Sequence, residues 1–159
     1  MPGVGKTAIS KNLSKILKVK HIDTDNVIES EQSSSIHDII INKGEDVFRY
    51  LEKRCLEHFL NQKGFSVISA GGGIILDPDN RSLIKRKACA IHIKCSIDDI
   101  LNRLTISSRP LLYNTNKKKK LNSLWSERSS LYKAVAHKEI DITGLSEIDA
   151  TQKLYEKIQ

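Results

Sequence analysis

Long apolar runs are absent. The most extended ones lie near residues 67–75 and 88–93, far short of the ~20 residues a membrane-spanning helix requires, so no membrane partner is expected. No basic-then-apolar leader opens the chain, so no secretory export is expected and the compartment reads as cytoplasmic. Cysteine is scarce: Cys55, Cys89 and Cys95 are odd in number and have no CxxC spacing. They read as reduced thiols rather than a disulfide or metal set. Aromatic residues make up only 5%, which leaves no interleaved stacking surface of the kind single-stranded nucleic acid prefers. No internal repeat and no linker divides the 159 residues, so one domain spanning residues 1–159 is expected.

The remaining composition is ordinary for a globular chain, with 39% hydrophobic and 28% charged residues. The formal charge of +7 fits nucleic acid, an anionic surface or an anionic small substrate. Part of it is local, because Lys117 to Lys120 form a run of lysines. Such a run is usually a solvated loop, and no nucleic-acid partner is expected.

Helix-like and strand-like patterns alternate along the chain. Residues 6–18 place Ile9, Leu13, Ile16 and Leu17 on one helical face. His21 to Asp23 fits a strand end, and residues 36–42 and 45–62 read as helices. The second helix turns Phe48, Leu51, Cys55, Leu56, Phe59 and Leu60 inward. Residues 65–70 form an apolar strand running into Gly71-Gly72-Gly73, and residues 88–93 form another. Helices are expected over 78–87, 97–105, 121–136 and 146–158, with a strand over 138–143 and a loop over 106–120. This alternation predicts an α/β fold with a parallel sheet.

The chain opens Met1-Pro2-Gly3-Val4-Gly5-Lys6-Thr7, the later part of GxxxxGK[ST]. Glycines let the backbone curl until its N–H groups converge on phosphate oxygens. Lys6 would reach the β- and γ-phosphates of a nucleotide, and Thr7 would offer its hydroxyl to Mg2+. The following helix would point its positive N-terminal end at the same anion. Gly-Lys-Thr ahead of a helix also arises by chance, but two correctly spaced glycines make the phosphate reading much the stronger. Such a loop ordinarily follows a buried central strand. The first strand and the first loop glycine, which falls just ahead of Met1, are therefore expected to be missing from this chain.

Asp23-Thr24-Asp25 follows at the strand end. Two carboxylates at i and i+2 on a strand face one way, one to serve a hydrated metal and the other to hold or deprotonate an acceptor hydroxyl. Asp25 fits equally well as a helix N-cap ahead of Asn26 to Glu29. Gly71-Gly72-Gly73 fits close approach of backbone to ligand, or a flexible turn. Arg49, with Glu52 one turn on to orient it, together with Arg109 and Arg128, offers planar forks suited to carboxylate or phosphate. Singly, each of these arginines is more often a solvated surface residue.

Six segments occur together: GxGKT at 3–7, DTD at 23–25, GEDVFRYLE at 44–52, SAGGG at 69–73, RPLL at 109–112 and SERSSLY at 126–132. In their order and approximate spacing they resemble the shikimate kinase family, over nearly the whole chain. The resemblance implies a three-layer α/β sandwich with a mostly parallel five-stranded sheet, a P-loop fold of the nucleoside-monophosphate-kinase type, here with its N-terminal strand missing. It implies ATP-dependent phosphorylation of shikimate to shikimate 3-phosphate, on the route to chorismate and aromatic amino acids, by a cytoplasmic monomer using ATP and Mg2+.

Residue by residue, the resemblance has Gly3, Val4, Gly5, Lys6 and Thr7 hold ATP, with Arg103 packed on adenine. Asp25, Arg49, Gly71, Gly72, Gly73 and Arg128 bind shikimate, the two arginines gripping its carboxylate. Lys6, Asp25 and Arg109 are catalytic, Asp25 as the base and Arg109 on the phosphates from a lid at about 106–120. Thr7 and Asp23 serve the metal, and Ser69 holds a water near it. The family often carries an arginine in its C-terminal adenine loop, and Ile142 to Ser146 has none, so backbone contacts replace it here. Gly-Gly-Gly, Phe48-Arg49 and Arg109-Pro110 argue against other small-metabolite kinases such as gluconate kinases. A nucleotide-binding protein or inactive kinase remnant without phosphoryl transfer is the alternative.

Overall fold

The computed structural model describes residues 1–106 and 115–159. Helix α1 (Lys6–Leu17) starts directly from Gly5, whose φ of 93° is a left-handed conformation that glycine adopts without strain. It ends at Lys18, also left-handed, with the Val19 amide closing on the Ser14 carbonyl. Ile9 and Leu13 are buried as expected, whereas Ile16 is 46% exposed. The buried stripe instead runs through Ser10 and Ser14, whose hydroxyls are satisfied by the carbonyls of Thr7 and Lys11. Those small polar residues carry no hydrophobic signal, so periodicity alone misplaces the centre of the stripe.

Strand β1 (Lys20–Asp23) pairs in parallel with β2 (Ser66–Ser69), with Lys20 opposite Ser66 and Asp23 opposite Ser69. Strand β3 (Ile91–Lys94) pairs in parallel with β4 (Lys138–Asp141), with Ile91 opposite Lys138. Among the described residues the four strands form two separate pairs, and no ladder joins β2 to β3. Strands β2, β3 and β4 are shorter than the sequence pattern implies, while β1 starts one residue earlier. Phe65 lies outside β2 and is 92% exposed, and β3 begins three residues later than expected.

Between β1 and β2 lies a helical module. Helix α2 (Thr24–Gln32), foreshadowed only by the alternative of an N-cap at Asp25, shows no hydrophobic period because Val27 and Ile28 are its only strongly apolar residues. It forms because Asp23 caps it, accepting from the amides of Asp25 and Asn26. The N-cap is thus Asp23 and not Asp25, and Asp25 lies in the first helical turn rather than on a strand. Helix α3 (Ile36–Lys43) is capped by Ser35, whose hydroxyl accepts from the Asp38 amide. Helix α4 (Glu45–Leu60) completes the module, and Ile28, Ile39, Phe48 and Cys55 form its own small core. Leu51 and Phe59 pack at the edge of that core, while Leu56 and Leu60 face the main one.

Beyond β2 come a 3-10 turn (Ile74–Leu76) and α5 (Pro78–Lys87), capped by Asp77. Then follow β3, α6 (Ile97–Ile106), α7 (Thr115–Val135), β4 and α8 (Glu147–Ile158). Residues 115–120, expected within a loop, are the first turns of α7; lysine is a good helix former, and Lys118 pairs with Asp98 of α6 at 2.6 Å. The main core gathers Val4, Ile9, Leu13, Leu56, Ile74, Ile75, Ile100, Leu121, Val135, Ile140, Ile142 and Leu154 from both strand pairs and their helices. No described helix is long and apolar enough to cross a membrane.

Candidate active site

The carboxyl ends of β1 and β2, the start of α1 and the helical module meet at one cleft. Gly3 and Gly5 both have positive φ, 76° and 93°, and curl the chain into α1. A Cβ on Gly3 would press on Ile100 and Leu104 at 3.0 Å. The Lys6 ammonium folds back over this loop and donates to the Met1 carbonyl at 3.0 Å. Burial lowers its pKa, and Asp25 and then Asp23 pull the other way. Thr7 donates to Asp23 Oδ2 at 2.7 Å, while Asp23 Oδ1 caps α2. These are hard oxygen donors at the mouth of a phosphate loop, the kind of ligand Mg2+ takes alongside nucleotide phosphates, so the residues present fit that metal.

Behind the loop sits a pocket of paired charges. Asp25 Oδ1 is buried without a hydrogen-bond partner. Burial raises its pKa above the usual carboxylate range, Asp23 and Glu29 add to the rise, and Lys6 and Arg49 oppose it. Glu52 is 1% exposed; its Oε2 accepts from Arg49 Nη1 at 2.7 Å, and its Oε1 has no partner. Burial raises its pKa too, against the opposing pull of Arg49. Arg49 is further held by Glu45 at 2.9 Å and lies over the Phe48 ring, 5.0 Å from its centroid. Burial works against its charge, but the two glutamates outweigh it and the pKa rises.

Gly71, Gly72 and Gly73 form one wall of the pocket. None needs a left-handed backbone; what each supplies is space. A Cβ on Gly71 would come within 2.6 Å of Glu52 Oε1 and 3.0 Å of Asp25 Oδ1. One on Gly72 would meet the Tyr132 hydroxyl at 3.1 Å, and one on Gly73 would overlap the Arg49 guanidinium. The glycines let the Asp25, Glu52, Tyr132 and Arg49 side chains approach the turn closely. Tyr132, on α7, donates to the Gly72 carbonyl at 2.6 Å and fixes the turn. Arg128, one turn earlier, has a mostly buried side chain whose charge acts on Glu52, Tyr132 and the Met1 amino group. Ser69 is buried at the end of β2, where its carbonyl accepts from Thr24.

On the other side of α1 a cleft of ≈ 680 Å3 runs from Gly3, Gly5, Lys6 and Thr7 to Arg103, Gly144 and Ser146. Arg103 Nη2 donates to the carbonyls of Ile142 at 3.2 Å and Leu145 at 2.8 Å. The sequence-predicted residues thus fall into two groups that share Lys6, a charged cluster of Asp25, Arg49, the glycine turn and Arg128, and the cleft that ends at Arg103. Arg109 lies outside the described residues. Glu52 orients Arg49 as the one-turn spacing predicts, but its burial, Tyr132 and Asp99 carry no such expectation; the four-residue step from Asp99 to Arg103 is the signal available for Asp99.

A sequence profile described as "Shikimate kinase" matches residues 2–159. The chain belongs to the shikimate kinase family. Among its relatives is a shikimate kinase of Francisella tularensis subsp. holarctica, 34% identical over 153 residues, covering 96% of this chain and 87% of the relative. One from Francisella philomiragia is 35% identical over the same shares. Among solved structures, the shikimate kinase from Acinetobacter baumannii in complex with shikimate superposes with a TM-score of 0.88 at 31% identity, covering 98% of this chain and 87% of that one. The shikimate kinase from Bacteroides thetaiotaomicron gives 0.86 at 25% identity, covering 99% and 93%. Family membership makes the chain a kinase that uses ATP with Mg2+ to phosphorylate shikimate, in aromatic amino acid biosynthesis.

Proposed function

We propose that the Arg103 cleft and the charged cluster around Asp25 are the nucleotide and acceptor halves of one active site producing shikimate 3-phosphate. Gly3, Val4, Gly5, Lys6 and Thr7 hold the phosphates, and Arg103 flanks the adenine. Asp25, Arg49, Gly71, Gly72, Gly73 and Arg128 hold shikimate, with the two guanidinium groups on its carboxylate. A substrate hydroxyl attacks the γ-phosphorus, the bond to the β–γ bridging oxygen breaks, and the hydroxyl proton passes to Asp25. Lys6 neutralises charge on the phosphate oxygens. Thr7 and Asp23 would hold Mg2+, which would supply further charge neutralisation there.

The observation that carries this reading is Asp25 Oδ1, an unpartnered buried acceptor between the charges of Lys6 and Arg49. A polar atom left unsatisfied in this way costs stability and is retained where a ligand satisfies it. Release of ADP with shikimate as acceptor tests the reading. Lys6→Ala abolishes transfer, and wild-type-like turnover in that variant would remove the phosphate cradle. Arg49→Ala raises the shikimate KM, and an unchanged KM would remove the carboxylate grip.

The same reading covers the whole chain as one domain, a cytoplasmic monomer. It also makes the two strand pairs halves of a single five-stranded sheet, with a further parallel strand between β2 and β3 entering the loop at Met1. Support comes from Val67, Ile68, Ile91 and Ile93, which are only half-buried although strands in the middle of such a sheet are normally covered. The intact mass of the protein isolated from its source decides the point: a mass above that of the 159 residues supports the extra strand, and a matching mass contradicts it.

A further inference from the structure

The nucleotide cleft contains a carboxylate to which nothing above assigns a task. Asp99 stands in the first turn of α6, and its Oδ2 accepts from three residues on three different segments. Cys95 Sγ, just beyond β3, donates at 3.0 Å; Arg103 donates through Nε at 3.1 Å and Nη2 at 3.0 Å; and the Gly144 amide, in the turn between β4 and α8, donates at 3.2 Å. Arg103 Nη2 reaches on to the carbonyls of Ile142 and Leu145 on either side of that turn. The contacts close into a ring: carboxylate to guanidinium, guanidinium to the 142–145 turn, and the turn back to the same carboxylate. The thiol hydrogen bond of Cys95, together with Arg103 and the Gly144 amide, lowers the Asp99 pKa and keeps the carboxylate charged.

We propose that Asp99 is a positioning residue for the nucleotide base, fixing the plane of Arg103 against the 142–145 turn so that a purine ring can stack on the face of the guanidinium beside that turn. Asp99, Arg103, Gly144 and Leu145 all line the cleft that leads from the phosphate loop. A guanidinium held by a carboxylate and two carbonyls has already lost its rotamer freedom, so a planar ring stacks on it without a further ordering cost. Without the carboxylate, Arg103 keeps only carbonyl partners and the turn loses the bond at Gly144. The inference rests on the reading of this cleft as the base site.

Direct titration of ADP and of inorganic tripolyphosphate, with no acceptor present, tests it in three variants beside steady-state kinetics. Asp99→Asn is expected to weaken ADP about ten-fold and raise the ATP KM to match, equivalent to ~1.4 kcal/mol. Tripolyphosphate affinity, the shikimate KM and kcat stay within about two-fold, because the phosphate loop and acceptor cluster are untouched. Asp99→Glu, which keeps the charge but shifts it by a methylene, gives a smaller rise in the same direction and serves if the asparagine variant melts too low to assay. Arg103→Ala separates the two claims. If it weakens ADP while both Asp99 variants bind ADP normally, the positioning role is overturned and the base site stands. If it leaves ADP affinity unchanged, the base-site reading fails. Equal weakening of ADP and tripolyphosphate in the Asp99 variants would mean general loosening and would also overturn the proposal.

Discussion

At the scale of single residues, Asp25 lies where the physics pulls in opposite directions. The first turn of a helix favours an anion, and the Lys6 and Arg49 charges do so as well, yet burial and the nearby Asp23 and Glu29 push its pKa up. Its folded-state pKa stands above the unfolded one, so the folded state holds the proton more tightly, and stability is lost as pH rises from the ordinary carboxylate pKa through the raised one. Asp25→Asn is free of that loss. It is expected to lose phosphoryl transfer by about 10²-fold or more while its melting temperature gains on the parent as pH rises from about 4 toward neutrality. Parallel melting curves across that range would mean that Asp25 is not strained by its charge.

The thiols give a second residue-scale prediction. Burial, followed by the Asp99 hydrogen bond, pushes Cys95 up to about 12, and burial followed by neighbouring carboxylates pushes Cys55 up to about 11. Cys89 is exposed. Brief alkylation at pH 8 is therefore expected to label Cys89 and spare the other two, as peptide masses will show; equal labelling would contradict the burial assigned to Cys55 and Cys95.

At the scale of elements, the glycine turn and helix α2 mark where sequence was informative and where it was silent. Lys6 and Thr7 stood out because phosphate chemistry demands those residue types at fixed spacings, whereas Asp25, Arg49 and Gly71 to Gly73 drew their expected roles from the resemblance to the family. The choice between open space and flexibility at the glycine turn was not legible, since it depends on Glu52, Arg49 and Tyr132 arriving from α4 and α7. Helix α2 carries too few apolar residues to show a period and is held by its Asp23 cap and by Ile28 docking on α3 and α4. Gly73→Ala puts a methyl group where the Arg49 guanidinium lies, and the movable partner is the arginine. The expected result is a shikimate KM raised about ten-fold with the ATP KM unchanged, equivalent to ~1.4 kcal/mol. An unaltered shikimate KM would place Arg49 outside the acceptor grip.

At the scale of the whole molecule, alternation of helix and strand was enough to predict the α/β class, because each strand-to-helix switch alters the hydrophobic period. The division of four strands into two unjoined pairs was not legible, since pairing between distant segments leaves no periodic trace. If a central strand belongs between them, a chain extended ahead of Met1 by an apolar strand unfolds in one transition at a higher temperature than the 159-residue chain; an unchanged melt would leave the two pairs as the complete architecture. For the joint site, the deciding measurement is ADP release from ATP with and without shikimate, alongside Asp25→Asn. A saturable dependence on shikimate that vanishes in the variant is the expected result. ADP released at the same rate whether or not shikimate is present, or left unaffected by loss of the Asp25 carboxylate, would contradict the placement of acceptor and nucleotide in adjoining halves of one site.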